Sequence, residues 1–123
     1  MITHLVLLTL KPELSDPDRR AFATAFERAA RDISTVRHVR IGERIKIGAG
    51  YEAQMPNTAQ YLAALDFDDV EGLKTYLEHE KHVELGALFW RSLSDAVVLD
   101  FQVGGLELLK ELLTEEGGGS FTL

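Results

Sequence analysis

The chain has 123 residues and no cysteine, and its 13 Lys and Arg against 20 Asp and Glu give a net charge of −7. This length suits one domain, and a net-acidic chain is a poor general binder of nucleic acid or anionic membranes, so we expect neither partner. The lack of cysteine excludes disulfides, thiolate nucleophiles, iron–sulfur clusters and cysteine-ligated zinc. No stretch approaches the ~18 apolar residues of a membrane span and the amino terminus lacks a signal pattern, which predicts a cytoplasmic protein.

The first half of the chain predicts strand, helix and strand. Residues 2–10 form an apolar strand pattern on both faces, which indicates that both faces of the sheet are covered. Residues 15–18, Ser-Asp-Pro-Asp, supply a cap and first turn for a helix whose apolar stripe continues to Ile33. Residues 39–47 alternate between apolar and mostly basic side chains, as in a strand with one wet face, and residues 48–57 predict a loop.

The second half predicts strand, two helical pieces and a last strand. Residues 60–67 alternate as a strand. Two aspartates open a helix over residues 68–77, and a further helical stripe covers residues 83–93. Residues 96–103 predict the final strand, and residues 106–113 predict a short amphipathic helix after two glycines. The resulting order, β-α-β-β-α-β, is that of a ferredoxin-like α+β sheet.

Histidine and tyrosine are the groups available for acid–base chemistry near neutral pH. Tyr76, His79 and His82 recur at i, i+3 and i+6, so one continuous helix would place them on roughly one face. His4 lies on an apolar strand face, where a histidine is more often a core or interface residue, and we expect His38 in a loop. The two helical histidines lack the His-Glu-x-x-His spacing of zinc proteases, so we predict no metal site.

Three segments of the sequence resemble the stress-responsive dimeric α/β-barrel (Dabb) family: residues 2–12, the Tyr-x-x-His-x-x-His-Val motif of residues 76–83, and residues 97–101. The resemblance covers residues 2–103. It implies a ferredoxin-like βαββαβ protomer that pairs sheet to sheet as a homodimer, forming a dimeric α+β barrel with a pocket between the sheet and helices of each protomer. We divide the chain accordingly into a barrel domain, residues 1–103, and a partly helical C-terminal extension with a Gly-rich tail, residues 104–123.

The resemblance also implies a site. In a plant polyketide cyclase of this family, a histidine on the second helix acts as base and a tyrosine holds the substrate, with no cofactor, which makes His82 and Tyr76 the candidate catalytic residues. His4, His79 and Tyr61 match further pocket positions, although Tyr61 stands where that cyclase has a histidine, and Glu80 replaces a proline. The remaining expected pocket residues are apolar: Val6, Leu8, Phe22, Phe26, Leu73, Leu77, Phe89 and Trp90.

Three functions stay open at this point. The first is a cofactor-independent cyclase or carbon–carbon lyase acting on a hydrophobic, polyketide-like carbonyl compound. The second is a non-catalytic, stress-responsive dimer that binds a small molecule, and the third is a cofactor-free monooxygenase of a related barrel family. A cavity of ~300 Å³ or more that His82 and Tyr76 face would favour the first, and a packed interior the second. Oxygen consumption would single out the third.

Overall fold

The computed structural model describes residues 1–114, and the predicted Gly-rich tail beyond them lies outside the described residues. Four strands and four α-helices follow one another, with short 3₁₀ turns at Gly50–Gln54 and Leu106–Leu108. In chain order they are β1 (Ile2–Leu10), α1 (Asp16–Asp32), β2 (His38–Glu43), β3 (Tyr61–Phe67), α2 (Val70–Glu78), α3 (Glu80–Ser92), β4 (Leu93–Gln102) and α4 (Leu109–Thr114).

The strands form one antiparallel sheet in the order β2-β3-β1-β4. This order, with helices between β1 and β2 and between β3 and β4, confirms the predicted ferredoxin-like α+β fold. The register pairs His4 with Leu65 on β3 and with Asp100 on β4, so these three side chains lie in one row on the same face of the sheet.

One face of the sheet carries the hydrophobic core. Alternate residues of β1 and β3 meet the apolar stripes of the three larger helices. Ala29, Leu65, Phe67 and Tyr76 are almost wholly inaccessible to solvent. This packing fixes the positions of β1, which carries His4, and α2, which carries Tyr76.

The opposite face of the sheet is apolar and bare. Leu5 pairs with Leu99, Leu7 with Val97 and Thr3 with Phe101 in the β1–β4 register. Val97, Leu99 and Phe101 each expose between 43% and 46% of their surface. Among residues 1–114 of one chain, therefore, helices cover only one of the two apolar faces of β1.

Helix α1 starts as predicted. The Ser15 hydroxyl accepts a hydrogen bond from the backbone N–H of Asp18 at 3.3 Å, and Pro17 occupies the first turn, where its missing N–H is no loss. The aligned apolar stripe then lays Phe22 and Phe26 over the sheet, half-buried against the core. These two rings line the cavity between the sheet and the helices.

Tyr76, His79 and His82 do not share one continuous helix face, because α2 and α3 are separate helices. His79 has an extended backbone (φ −66°, ψ 142°) and ends α2 while starting α3. Its imidazole Nδ1 accepts from the N–H of Lys81 at 3.1 Å, which satisfies a donor that a continuous helix would have bonded itself. The Lys81 ammonium also lies 2.6 Å from the Asp32 carboxylate, which ties the start of α3 to the end of α1.

Several boundaries differ from the sequence prediction, most clearly those of β2 and β4. β2 ends at Glu43 rather than residue 47, because the Glu52 carboxylate accepts from the N–H groups of Ile47 and Ala49 and draws this backbone away from the ladder. His38, expected in a loop, is the first residue of β2. β4 begins at Leu93, which pairs with β1 after a register shift, so the preceding helix stops at Ser92.

Candidate active site

A cavity of about 200 Å³ lies between the core face of the sheet and helices α1, α2 and α3. Its walls are almost entirely apolar, and three ring-bearing polar side chains, His4, Tyr76 and His82, interrupt them. The remaining wall residues are Val6, Leu8, Phe22, Phe26, Leu65, Leu77, Leu85, Gly86, Phe89, Trp90 and Val98. A cavity of this kind orients a ligand through few polar groups while the apolar wall excludes water.

Tyr76 lies at the centre of the site. It projects from α2 into the core, where only 1% of its surface is exposed, and its ring packs 5.3 Å from that of Phe67. Burial raises the pKa of the phenol to about 12, because the phenolate would lose its hydration. Tyr76 is therefore protonated at neutral pH and can donate a hydrogen bond to a ligand in the cavity.

His82 faces Tyr76 from the first turns of α3. The two ring centroids are 4.7 Å apart in an edge-to-face arrangement. Six residues of uninterrupted helix would separate them by ~9 Å along the axis, so the break at His79 brings the rings together. The pair is thus a product of the α2–α3 junction.

The surroundings of His82 favour the neutral imidazole. Burial holds its pKa below the ordinary value of 6.5, and the electrostatic interaction with His4 acts in the same direction. The nearby backbone of Leu77 acts against this shift but does not reverse it. A neutral imidazole keeps one nitrogen with a free lone pair, as a general base requires.

His4 completes the row of rings. Its Nδ1 lies 2.5 Å from the Asp100 carboxylate, and its ring packs 5.9 Å from that of Tyr76. The Asp100 carboxylate accepts from this nitrogen and so fixes the orientation of the imidazole. Tyr76 contacts both histidine rings.

The structure gathers most of the predicted site residues and leaves three apart. His82, Tyr76 and His4 line the cavity, as do seven of the eight predicted apolar residues: Val6, Leu8, Phe22, Phe26, Leu77, Phe89 and Trp90. Trp90 is 71% exposed and stands at the rim. His79 caps α3 outside the cavity, and Tyr61 lines a neighbouring groove together with Phe26. Leu73, also expected in the pocket, belongs to the core beside it.

Asp100 is the site residue that the sequence did not reveal. It follows Val97, Val98 and Leu99 on β4, and an acid in such an apolar run indicates a specific partner. The identity of that partner depends on the β1–β4 register, which pairs His4 with Asp100 across 96 positions of sequence. Local sequence patterns carry no information about contacts between residues so far apart in the chain.

Neither a metal cluster nor a membrane span occurs in residues 1–114. That part of the chain holds no group of three or more His, Asp or Glu side chains placed to bind one ion. Its helices are all too short or too polar to cross a bilayer. Of the two histidines that line the cavity, His4 contacts the Asp100 carboxylate and His82 contacts the Tyr76 ring.

Solved structures share this fold. A protein from Arabidopsis thaliana is 18% identical, with a TM-score of 0.70 over 86% of this chain and 98% of its own. A dimeric ferredoxin-like protein of unknown function from Thermobifida fusca is 20% identical, with a TM-score of 0.64 over 83% of this chain and 90% of its own. A hydroxynitrile lyase from Passiflora edulis is 13% identical, with a TM-score of 0.70 over 84% of this chain and 93% of its own.

At these identities the likeness concerns the fold alone. No curated protein is significantly similar to the sequence. The family profile of the stress responsive A/B barrel domain (Dabb), however, matches residues 2–103, which include every strand and all three rings of the site. This chain belongs to the stress-responsive A/B barrel domain family.

Proposed function

We propose that this protein is a cofactor-independent enzyme that acts on a hydrophobic, polyketide-like carbonyl compound, with His82 as general base and Tyr76 as hydrogen-bond donor. One observation carries the proposal: a neutral imidazole and a protonated phenol lie against each other in a cavity whose other walls are apolar. Such surroundings strengthen each polar interaction with a bound carbonyl group.

The reaction starts with proton abstraction. The unprotonated nitrogen of His82 takes a proton from the carbon next to a ketone, and negative charge develops on the ketone oxygen. The hydroxyl of Tyr76 donates to that oxygen. Within residues 1–114 this hydroxyl has no protein acceptor, so it is available to a ligand. A positioned base contributes ~10²–10⁴-fold, and a donor aimed at the developing charge ~10²–10³-fold.

The bond changes balance without an oxidant or reductant. The enolate carbon attacks a second carbonyl of the same molecule, forming a carbon–carbon bond and an alkoxide. The imidazolium of His82 returns its proton to the alkoxide, which regenerates the base. A carbon–carbon lyase runs these steps in reverse, and the hydroxynitrile lyase from Passiflora edulis has the same fold.

His4 supports the pair from the sheet. With its Nδ1 held by Asp100, its second nitrogen is available to a polar end of the substrate. The apolar side chains of α1 and α3, Phe26 and Phe89 among them, would fold the remainder of the substrate against Val6 and Val98. Orientation of this kind brings two carbonyl groups of one molecule together and contributes to the rate.

The bare face of the sheet supports a homodimer as the working form. Leu99, Val97 and Phe101 form an apolar stripe that monomers rarely leave in water. A second copy placed sheet to sheet would cover this stripe symmetrically and close a barrel. The ferredoxin-like protein from Thermobifida fusca is dimeric, which agrees with this assembly.

A non-catalytic small-molecule-binding dimer is the second candidate function. The cavity of about 200 Å³ falls short of the ~300 Å³ named above as favouring a polyketide enzyme, and this favours a binding site for a smaller molecule. In that case the three rings would hold a ligand without converting it.

Turnover distinguishes the two candidates. Linear di- and triketones are incubated with the protein, and cyclised or cleaved products are followed by mass spectrometry with oxygen uptake recorded in parallel. We expect products with wild type and at least ~10²-fold less with His82→Ala. The matched control is His79→Asn, which removes a histidine outside the cavity but keeps a capping side chain. Equal rates in His82→Ala and wild type would refute the proposal, and oxygen-dependent product would instead indicate a monooxygenase.

A further inference from the structure

A second apolar groove borders the site on the other side of α1. It has a volume of about 300 Å³ and lies between α1 and strands β1, β2 and β3. Leu8, Phe22 and Phe26 line both this groove and the Tyr76–His82 cavity. The two spaces therefore share part of their walls and adjoin each other beneath α1.

The groove is almost entirely apolar, but Arg19 and Tyr61 stand on its wall. The guanidinium of Arg19 is held by one hydrogen bond, from Nε to the carbonyl oxygen of Leu14 at 3.2 Å. Within residues 1–114 it forms no ion pair, although Asp16 and Asp18 precede it on the same helix. Its terminal N–H groups thus keep the planar, two-pronged geometry that binds a carboxylate.

We propose that this groove binds the carboxylate end of an elongated amphipathic molecule, with Arg19 as the anion-binding residue. From Arg19 to Phe26 the helix advances seven residues, which is ~10 Å. An apolar chain of that length would lie along Leu8 and the two phenylalanines and reach the cavity of Tyr76 and His82. The phenol of Tyr61, on the wall of the groove, gives the carboxylate a second donor.

This assignment narrows the class of substrate in the proposed function. The statement about the substrate rests on that proposed function. The substrate would be a carbonyl compound that carries a carboxylate roughly two helical turns from its reacting ketone. A substrate with a neutral hydrocarbon tail in place of the carboxylate would leave the guanidinium of Arg19 without an anionic partner. The binding part stands independently of catalysis, because nothing in it requires His82.

Binding of octanoate tests the groove, with octanamide as an uncharged probe of nearly the same shape. We expect calorimetry to give octanoate at least about 10-fold tighter binding than octanamide, because charge-assisted paired hydrogen bonds require the carboxylate. Arg19→Gln should lose this preference. Arg20→Gln is the matched control, because it removes the same charge one residue along the helix from a side chain outside the groove. Ala23→Trp, which fills the groove, should abolish binding of both probes.

The outcomes separate this proposal from the catalytic one. Absence of octanoate binding, equal affinity for octanamide, or equal losses in the Arg19 and Arg20 variants would overturn the groove assignment. The His82→Ala variant should bind octanoate as wild type does. If octanoate binds as expected but no carbonyl compound is turned over, the groove stands and the catalytic proposal fails. If a carbonyl compound is turned over but octanoate binds no more tightly than octanamide, the catalytic proposal stands and the groove assignment fails.

Discussion

Replacing His79 with alanine removes the side chain that starts α3. The Nδ1 of His79 accepts the Lys81 N–H at 3.1 Å, and loss of such a cap costs about 1 kcal/mol of unfolding free energy. For a chain of this size that corresponds to a fall in Tm of about 3–6 °C. Alanine also favours helical over extended backbone, so α2 and α3 are expected to join more readily across this position. Joining them would move Tyr76 and His82 from a 4.7 Å ring contact toward a ~9 Å axial separation.

His79→Asn is the matched variant, because asparagine is among the best capping residues. We expect it to keep both the Tm and the turnover of wild type, while His79→Ala loses stability and at least ~10-fold in rate. Thermal unfolding by circular dichroism measures the first quantity and product formation the second. If both variants lost activity equally with unchanged Tm, His79 would act chemically and the capping argument would be refuted.

Other predictions concern the rings and the bare face. Tyr76→Phe keeps the packed ring but removes the donor, so turnover should fall ~10²–10³-fold with little change in Tm. Because the pKa of His82 is lowered in the folded protein, kcat/KM should decline on the acid side only below pH 6.5, and the Tyr76 pKa of about 12 should leave the alkaline side flat up to strongly basic pH. The same lowered pKa means that unfolding takes up a proton in acid, so the stabilising effect of neutral His82 is present above pH 6.5 and is lost as the pH falls toward its folded pKa. His82→Asn should flatten that part of a Tm-against-pH curve. Leu99→Glu places a charge on the apolar stripe and should yield monomers in analytical ultracentrifugation, whereas an unchanged dimer would place the interface elsewhere.

Local patterns in the sequence predicted the elements well where one periodicity prevailed. Strand β1 is found as predicted from the apolar residues on its two faces. Helix α1 is found as predicted from its Ser-Asp-Pro start and its apolar stripe. The predicted end of β2 was wrong. The alternating pattern assigns the backbone N–H of Ile47 to the β-sheet, but this group donates to the carboxylate of Glu52, five residues farther along the chain. Side-chain competition for backbone donors is hard to read from alternation alone.

The sequence predicted which residues belong to the site better than it predicted how they are arranged. The resemblance of the Tyr-x-x-His-x-x-His motif pointed to Tyr76 and His82. Helical spacing grouped His79 with them, although His79 lies at the junction of the two helices and caps the second. A histidine that caps a helix has the same sequence signal as one that faces a pocket. Asp100 was missed for a different reason, because its contact with His4 joins the two ends of the domain.

Exchange of the α-protons of a diketone substrate with solvent deuterium tests the central claim most directly, since it reports proton abstraction before any later bond forms or breaks. Proton NMR in D₂O should show wild-type and His79→Asn protein catalysing loss of the α-proton signal at equal rates, with His82→Ala slower by at least ~10²-fold. If His82→Ala exchanged the protons as fast as wild type, His82 would not be the base.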